Sequence, residues 1–366
     1  MRGSALAIAA VTALLGCAAP AGASGAPPRQ FYGVVSQSKL HRDDLARMAK
    51  GNVGTLRVTL SWSAVDPSPV FDYDWSAFDD TVAEAARRGI EVLPAVFTVP
   101  GWVSALERCE AGAECGITPP HTAAGLAAWR TFLGDAARRY GPGGVFWLLH
   151  PELPDEPIET WQIWNEENDP GFFAPAPDVG RYAALLSAAS EAIRGVDASA
   201  EILLGGMCCY PLHGRDGGIR TTDFLRSLYE YPGIDADFDG IAIHPYAARL
   251  GGVRRQVESV VRLVGGALGD TEAGIWITEV GWASGGAHNR LNRGPRGQAR
   301  RLAQAFRYFT RQRARLGIRA VLWYAWRDVP QAISPCLWCP DSGLFHAAAL
   351  VPKPAWSSFV RFTGGR

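Results

Sequence analysis

A chain of 366 residues is long for one small domain and about right for one large α/β barrel, and 48% hydrophobic residues are ample for a single sizeable core. The 36 basic and 36 acidic residues cancel, so no general field attracts nucleic acid or anionic lipid, and nucleic acid is not expected as a partner. The first expected element is a leader. Met1-Arg2-Gly3-Ser4 and the apolar stretch through Leu15 fit a signal peptide with a weak n-region. That stretch is too short and alanine-rich to span a membrane. Two processing sites compete: Ala21-Gly22-Ala23 resembles a signal-peptidase I site, and Leu14-Leu15-Gly16-Cys17 resembles a bacterial lipobox with an unusual Leu15. The expectation is a bacterial protein that is secreted or held at the cell envelope, with a lipid anchor on Cys17 as its single route to a membrane.

After the leader, apolar runs alternate with amphipathic stretches. Strands are expected at 31–35, 55–60, 90–97, 160–164, 201–205, 240–244, 275–279 and 320–326. Helical patterns between and after them cover 43–50, 75–88, 123–140, 180–193, 222–229, 253–268, 297–316 and 354–362. Eight strands alternating with eight helices is the count of a single (β/α)8 TIM barrel. A doubly wound sheet would carry a glycine-rich first turn, and none follows Phe31-Tyr32-Gly33-Val34-Val35. The expected organisation is therefore 1–28 as signal peptide or lipoprotein leader with a short tether, and 29–366 as one barrel domain, expected to be a monomer. The longest insertions are 99–122, 247–252, 283–297 and 327–353.

Setting Cys17 aside, six cysteines form three close pairs, each in a loop after a strand. In an exported chain an even count favours disulfides. Cys109–Cys115 and Cys336–Cys339 would close small loops easily, and Cys208–Cys209 would be a strained vicinal bridge. Zinc is the alternative, but no histidine stands at metal-ligand spacing beside the pairs, so neither metal nor other cofactor is expected.

Two segments carry the chemistry. Trp161-Gln162-Ile163-Trp164-Asn165-Glu166 and Ile275-Trp276-Ile277-Thr278-Glu279 are apolar, aromatic-rich runs that end in a carboxylate. Catalytic groups of such barrels sit at the C-terminal ends of strands. By count Glu166 ends strand four and Glu279 ends strand seven, which face each other across the barrel mouth. Two facing carboxylates are the minimum equipment for cleaving a glycosidic bond. The thirteen tryptophans divide between core packing and stacking on sugar faces.

Trp164-Asn165-Glu166 with Thr278-Glu279 resembles clan A of the glycoside hydrolases, within it most closely family 39, with family 5 as competitor. Leu56-Arg57-Val58 with Trp62, Pro100-Gly101-Trp102, His244-Pro245-Tyr246, and Trp323 with Trp326 extend the likeness over nearly the whole mature chain. The resemblance implies a retaining O-glycosidase acting on an oligo- or polysaccharide. It implies Glu166 as acid/base, Glu279 as nucleophile, and Asn165 as the partner of the sugar 2-hydroxyl. Arg57 and Tyr246 would hold the nucleophile's charge, His244 would line the subsite, and Trp326 would lie under the reacting sugar. Trp102 and Trp323 join the substrate-binding set. The sequence departs from the family at Glu167, where Asn-Glu-Pro-Asn is common; Glu167 either raises the pKa of Glu166 or points to solvent. The alternative function is a catalytically silent carbohydrate-binding barrel.

Overall fold

The structure, a computed structural model, describes residues 25–70, 72–109, 112–208, 217–333 and 336–366. The segment expected to be a leader, with both candidate processing sites and Cys17, lies outside the described residues, as does Cys209 of the third cysteine pair.

Eight parallel strands close into a barrel with helices around it: β1 (Tyr32–Val35), β2 (Thr55–Ser61), β3 (Glu91–Phe97), β4 (Thr160–Ile163), β5 (Glu201–Leu203, resumed at Met207–Cys208), β6 (Gly240–His244), β7 (Gly274–Val280) and β8 (Ile318–Tyr324). Closure is made by β8 pairing with β1 and by β5 pairing with β6 through Leu203↔Gly240, Met207↔Ile243 and Cys208↔His244. All residues of β1 and β6 are buried, as expected of strands covered by helices outside and by side chains within.

The helices Ala123–Tyr140 and Val179–Arg194 begin at Thr122 and Asp178, whose side chains accept backbone N–H groups of the first turn. The pattern expected at 253–268 splits into an α-helix, Leu250–Arg262, and a π turn, Leu263–Ala267, which contains two adjacent glycines. Short helices at Trp62–Val65, Gly101–Leu106 and Val145–Leu149 were not expected, because they are too brief to display a 3.6-residue period.

Three departures at strand ends shape the functional end of the barrel. Strand β4 stops at Ile163, and Trp164 and Glu166 take positive φ angles of 77° and 45°. The chain thus turns sharply at the barrel mouth, and Glu166 sits on the turn. Strand β5 is interrupted at Leu204-Gly205-Gly206; Gly206 has φ 87°, and a Cβ there would collide with the His244 ring. Strand β8 begins and ends two residues earlier than expected. Its register with β1 pairs Tyr324 with Val35, and Val35 pairs with Arg57 of β2. Paired residues point to one face, so Tyr324 shares the inner face with Arg57 while Trp323 is turned outward.

Cys109 is bridged to Cys115 and Cys336 to Cys339, clipping the loops after β3 and β8. Among the described residues, no helix is long and apolar enough to cross a membrane.

Candidate active site

Glu279, near the end of β7, is held from both sides. Arg57 of β2 donates from Nη1 to its Oε1 at 2.6 Å, and the Tyr246 hydroxyl donates to its Oε2 at 2.6 Å. The other two guanidinium nitrogens are used as well: Nε donates to Gln162 Oε1 at 2.6 Å and Nη2 donates to Asn165 Oδ1 at 2.7 Å. Arg57 therefore fixes three acceptors from two strand ends in a single plane, which its rigid fork suits and a lysine would not. Burial pushes the Glu279 carboxyl above the usual carboxylate range, while Arg57 and Tyr246 pull against that rise. The Tyr246 hydroxyl is pushed well up by burial and by the neighbouring carboxylate, so it remains a donor.

Glu166 meets His244 instead. Nδ1 of His244 lies 2.8 Å from Glu166 Oε1, and Nε2 lies 3.1 Å from the Thr278 hydroxyl. The imidazole is fully buried, and burial reinforced by nearby Arg57 holds its pKa well below the ordinary value, so it is neutral. With Glu166 ionised, Nδ1–H donates to the carboxylate and the Thr278 hydroxyl donates to Nε2.

Oxygens of Glu166 and Glu279 and the His244 nitrogen all lie within 4.8 Å of one another. Three such groups are also a possible cation cage. Here, however, the Arg57 guanidinium is already seated on one carboxylate, and a second positive charge beside it would be repelled. Both carboxylates line a cavity of about 600 Å³ at the barrel mouth, with Asp169, Tyr324, Trp338 and the Cys336–Cys339 clip in its wall. A larger cleft of about 990 Å³ between the helices Arg42–Lys50 and Ser76–Ala86 contains neither carboxylate. The carboxylate pair lies in the smaller one.

Thus Arg57, Asn165, Glu166, His244, Tyr246 and Glu279 are brought together. Three tryptophans expected at the site are elsewhere. The Trp326 ring is fully buried, donates its N–H to Asp44 at 2.8 Å and packs on Phe345 and Trp356, so it is a core side chain and not a sugar platform. Trp323 is turned outward by the β8 register, against Trp282 and Phe306. Trp102 donates to the Asp66 carbonyl at 3.1 Å and meets Trp62 edge-on, away from the cavity wall.

The aromatic wall is built by residues the sequence reading passed over. Tyr324 ends β8 facing inward, and Trp338 meets Tyr246 edge-on at 4.7 Å and Tyr324 at 5.7 Å. Gln162 was also missed, although a lone glutamine inside the apolar run of β4 was a usable signal. Glu167 does not reach solvent. It is fully buried, accepts the Gly205 N–H at 3.2 Å, and burial pushes its carboxyl up to about 8. Asn168 beyond it ties the turn to β5, accepting the Cys208 N–H at 2.8 Å and donating to the Cys208 carbonyl at 2.7 Å.

No protein-family model matches the sequence, and neither does any curated protein. Solved structures do share the fold. A family 39 glycoside hydrolase from Bacteroides cellulosilyticus WH2 superposes with a TM-score of 0.65 at 18% identity, over 92% of this chain and 64% of that one. A monomeric β-xylosidase from Caulobacter crescentus CB15 gives 0.60 at 15% identity, over 92% and 68% respectively. Xylanase 10B from Thermotoga petrophila RKU-1 gives 0.60 at 14%, over 92% and 94%. The chain thus has the barrel of these carbohydrate-cleaving enzymes while spanning less than two thirds of the family 39 enzyme's length.

Proposed function

We propose that the protein is an exported retaining glycoside hydrolase that cleaves O-glycosidic bonds of an oligo- or polysaccharide by double displacement. The observation that carries this reading is the pair of carboxylates within 4.8 Å, each with a different set of partners. Inverting enzymes keep their carboxyls about 6.5–9.5 Å apart to admit a water, whereas retaining enzymes bring them to about 5–5.5 Å. Different partners separate the roles.

In the first step an oxygen of Glu279 attacks the anomeric carbon. The bond to the leaving oxygen breaks, and Glu166 delivers its proton to that oxygen. In the second step Glu166 takes a proton from water, whose oxygen attacks the same carbon and expels Glu279 as carboxylate. Arg57 and Tyr246 favour the ionised nucleophile needed at the start. When Glu279 becomes an ester, the phenol remains free to donate to the ring oxygen side of the adduct. Asn165, fixed by Arg57, is the donor for the sugar 2-hydroxyl, a contact that strengthens in the transition state. His244 keeps Glu166 aimed without carrying charge of its own. The bridges in the loops after β3 and β8 support the export part of the proposal.

Azide rescue tests the roles. Glu279→Ala should abolish hydrolysis of an activated aryl glycoside, and azide should restore turnover with a glycosyl azide of inverted configuration. Glu166→Ala should retain the first step for good leaving groups and give the azide of retained configuration. Exchange of the two behaviours would reverse the assignment.

A further inference from the structure

The chain is neutral overall, but its charge is segregated. Between Glu279 and Asp328 there are eleven arginines, from Arg290 to Arg327, and no aspartate or glutamate. Seven of them lie on the helix Gly294–Leu316. That helix and Leu250–Arg262 border a groove of about 510 Å³ whose wall includes Arg249, Arg301, Arg307 and Arg311 with Gln304 and Gln312. None of these four arginines has a carboxylate within ion-pair distance among the described residues; Arg301 is bonded only to the neutral Gln304, at 2.8 Å. The nearby carboxylate of Glu258 is already engaged by Tyr308, Arg254 and Arg315. Burial and the like charges of Arg293, Arg300 and Arg249 depress the Arg301 guanidinium pKa, as expected where cations crowd without counter-charge. Such crowding costs stability unless an anion relieves it.

We propose that this groove is a second binding site, distinct from the catalytic cavity, for a polyanionic glycan carrying carboxylate or sulfate groups. The arginine forks match planar carboxylates and sulfates, and the two glutamine amides suit sugar hydroxyls. The groove starts at Arg249, on the loop that leaves Tyr246 and β6, so it opens from the same rim as the catalytic cavity. No exposed large apolar side chain occurs on either bordering helix, which disfavours a lipid surface, where insertion requires one. The choice of a glycan rests on the glycosidase reading; the anionic character rests on the groove alone.

The test is affinity electrophoresis of the full chain in gels containing polygalacturonate, dextran sulfate or neutral xylan, for wild type and for Arg301→Gln/Arg307→Gln/Arg311→Gln. Wild type should be retarded by a polyanion and not by xylan at the groove, the effect should fade with salt, and the variant should bind about tenfold more weakly or worse. Preference between the first two gels separates carboxylate from sulfate. Turnover of a small aryl glycoside, which does not reach the groove, should be the same in both proteins. An inactive wild type that still binds polyanions through these arginines would remove the catalytic reading and leave the groove standing. Equal retardation of wild type and variant, no retardation of either, or tighter binding to duplex DNA or phosphatidylglycerol vesicles would overturn the proposal.

Discussion

Tyr246→Phe isolates one hydrogen bond at the centre of the site. The phenol donates to Glu279 Oε2 at 2.6 Å, is buried, and is packed on Trp338, so phenylalanine keeps the ring and its packing while removing the donor. A hydrogen bond to a charged acceptor contributes about 1.5–3 kcal/mol. At 1.36 kcal/mol per unit, losing it raises the Glu279 pKa by about 1–2 units. The direction follows from what the bond favours. Tyr246 stabilises the ionised carboxylate, so its removal leaves burial less opposed and the carboxyl titrates higher. A nucleophile works only when ionised, so activity is lost as pH falls through its pKa. The acidic limb of the kcat/KM profile should therefore move up by about 1–2 pH units in Tyr246→Phe, with the basic limb unmoved. The assay is kcat/KM for an aryl glycoside across pH, with the melting temperature recorded in parallel. A folded variant whose acidic limb coincides with wild type would refute the role given to Tyr246 and the assignment of Glu279 as the ionised partner.

Trp326→Ala should lower stability by about 3–5 kcal/mol through the emptied core, yet leave kcat per active site unchanged when folded protein is titrated with a mechanism-based inhibitor. Trp338→Ala should instead raise KM with a smaller loss of stability, because its ring forms the cavity wall; calorimetry and steady-state kinetics on the two variants separate these outcomes. Cys336→Ser/Cys339→Ser should raise KM more than it lowers the melting temperature, since the bridge closes a loop of only 3 residues' separation and contributes little chain entropy. Gly206→Ala should impair activity at neutral pH and also lower the melting temperature, because the added Cβ meets the His244 ring and a φ of 87° is strained for alanine; calorimetry and kinetics together check it.

The barrel and the strand ends that build the site were legible because buried parallel strands read as near-continuous apolar runs, and a polar or charged residue within one stands out. Arg57 inside Leu56-Arg57-Val58 and His244 closing Gly240–His244 are two such residues, and both lie beside the carboxylates. The aromatic wall was not legible for a geometric reason. Facing alternates with every residue along a strand, so two residues' error in the end of β8 transferred attention from Tyr324 to Trp326, which belongs to the core beyond the strand. Trp338 comes from a loop of no periodicity, between the bridged Cys336 and Cys339, and nothing in the cysteine spacing shows that the loop folds over Tyr246. The fate of Glu167 was only half legible: Gly205-Gly206 marks a break in β5, but nothing in the sequence pairs the Gly205 N–H at that break with the Glu167 carboxylate.

The central claim is that Glu166 and Glu279 act as a retaining pair, and the stereochemistry of the first product tests it most directly. Proton NMR of the earliest hydrolysis product, recorded before mutarotation, should show the released sugar with the anomeric configuration of the bond that was cleaved. First appearance of the opposite anomer would contradict the account.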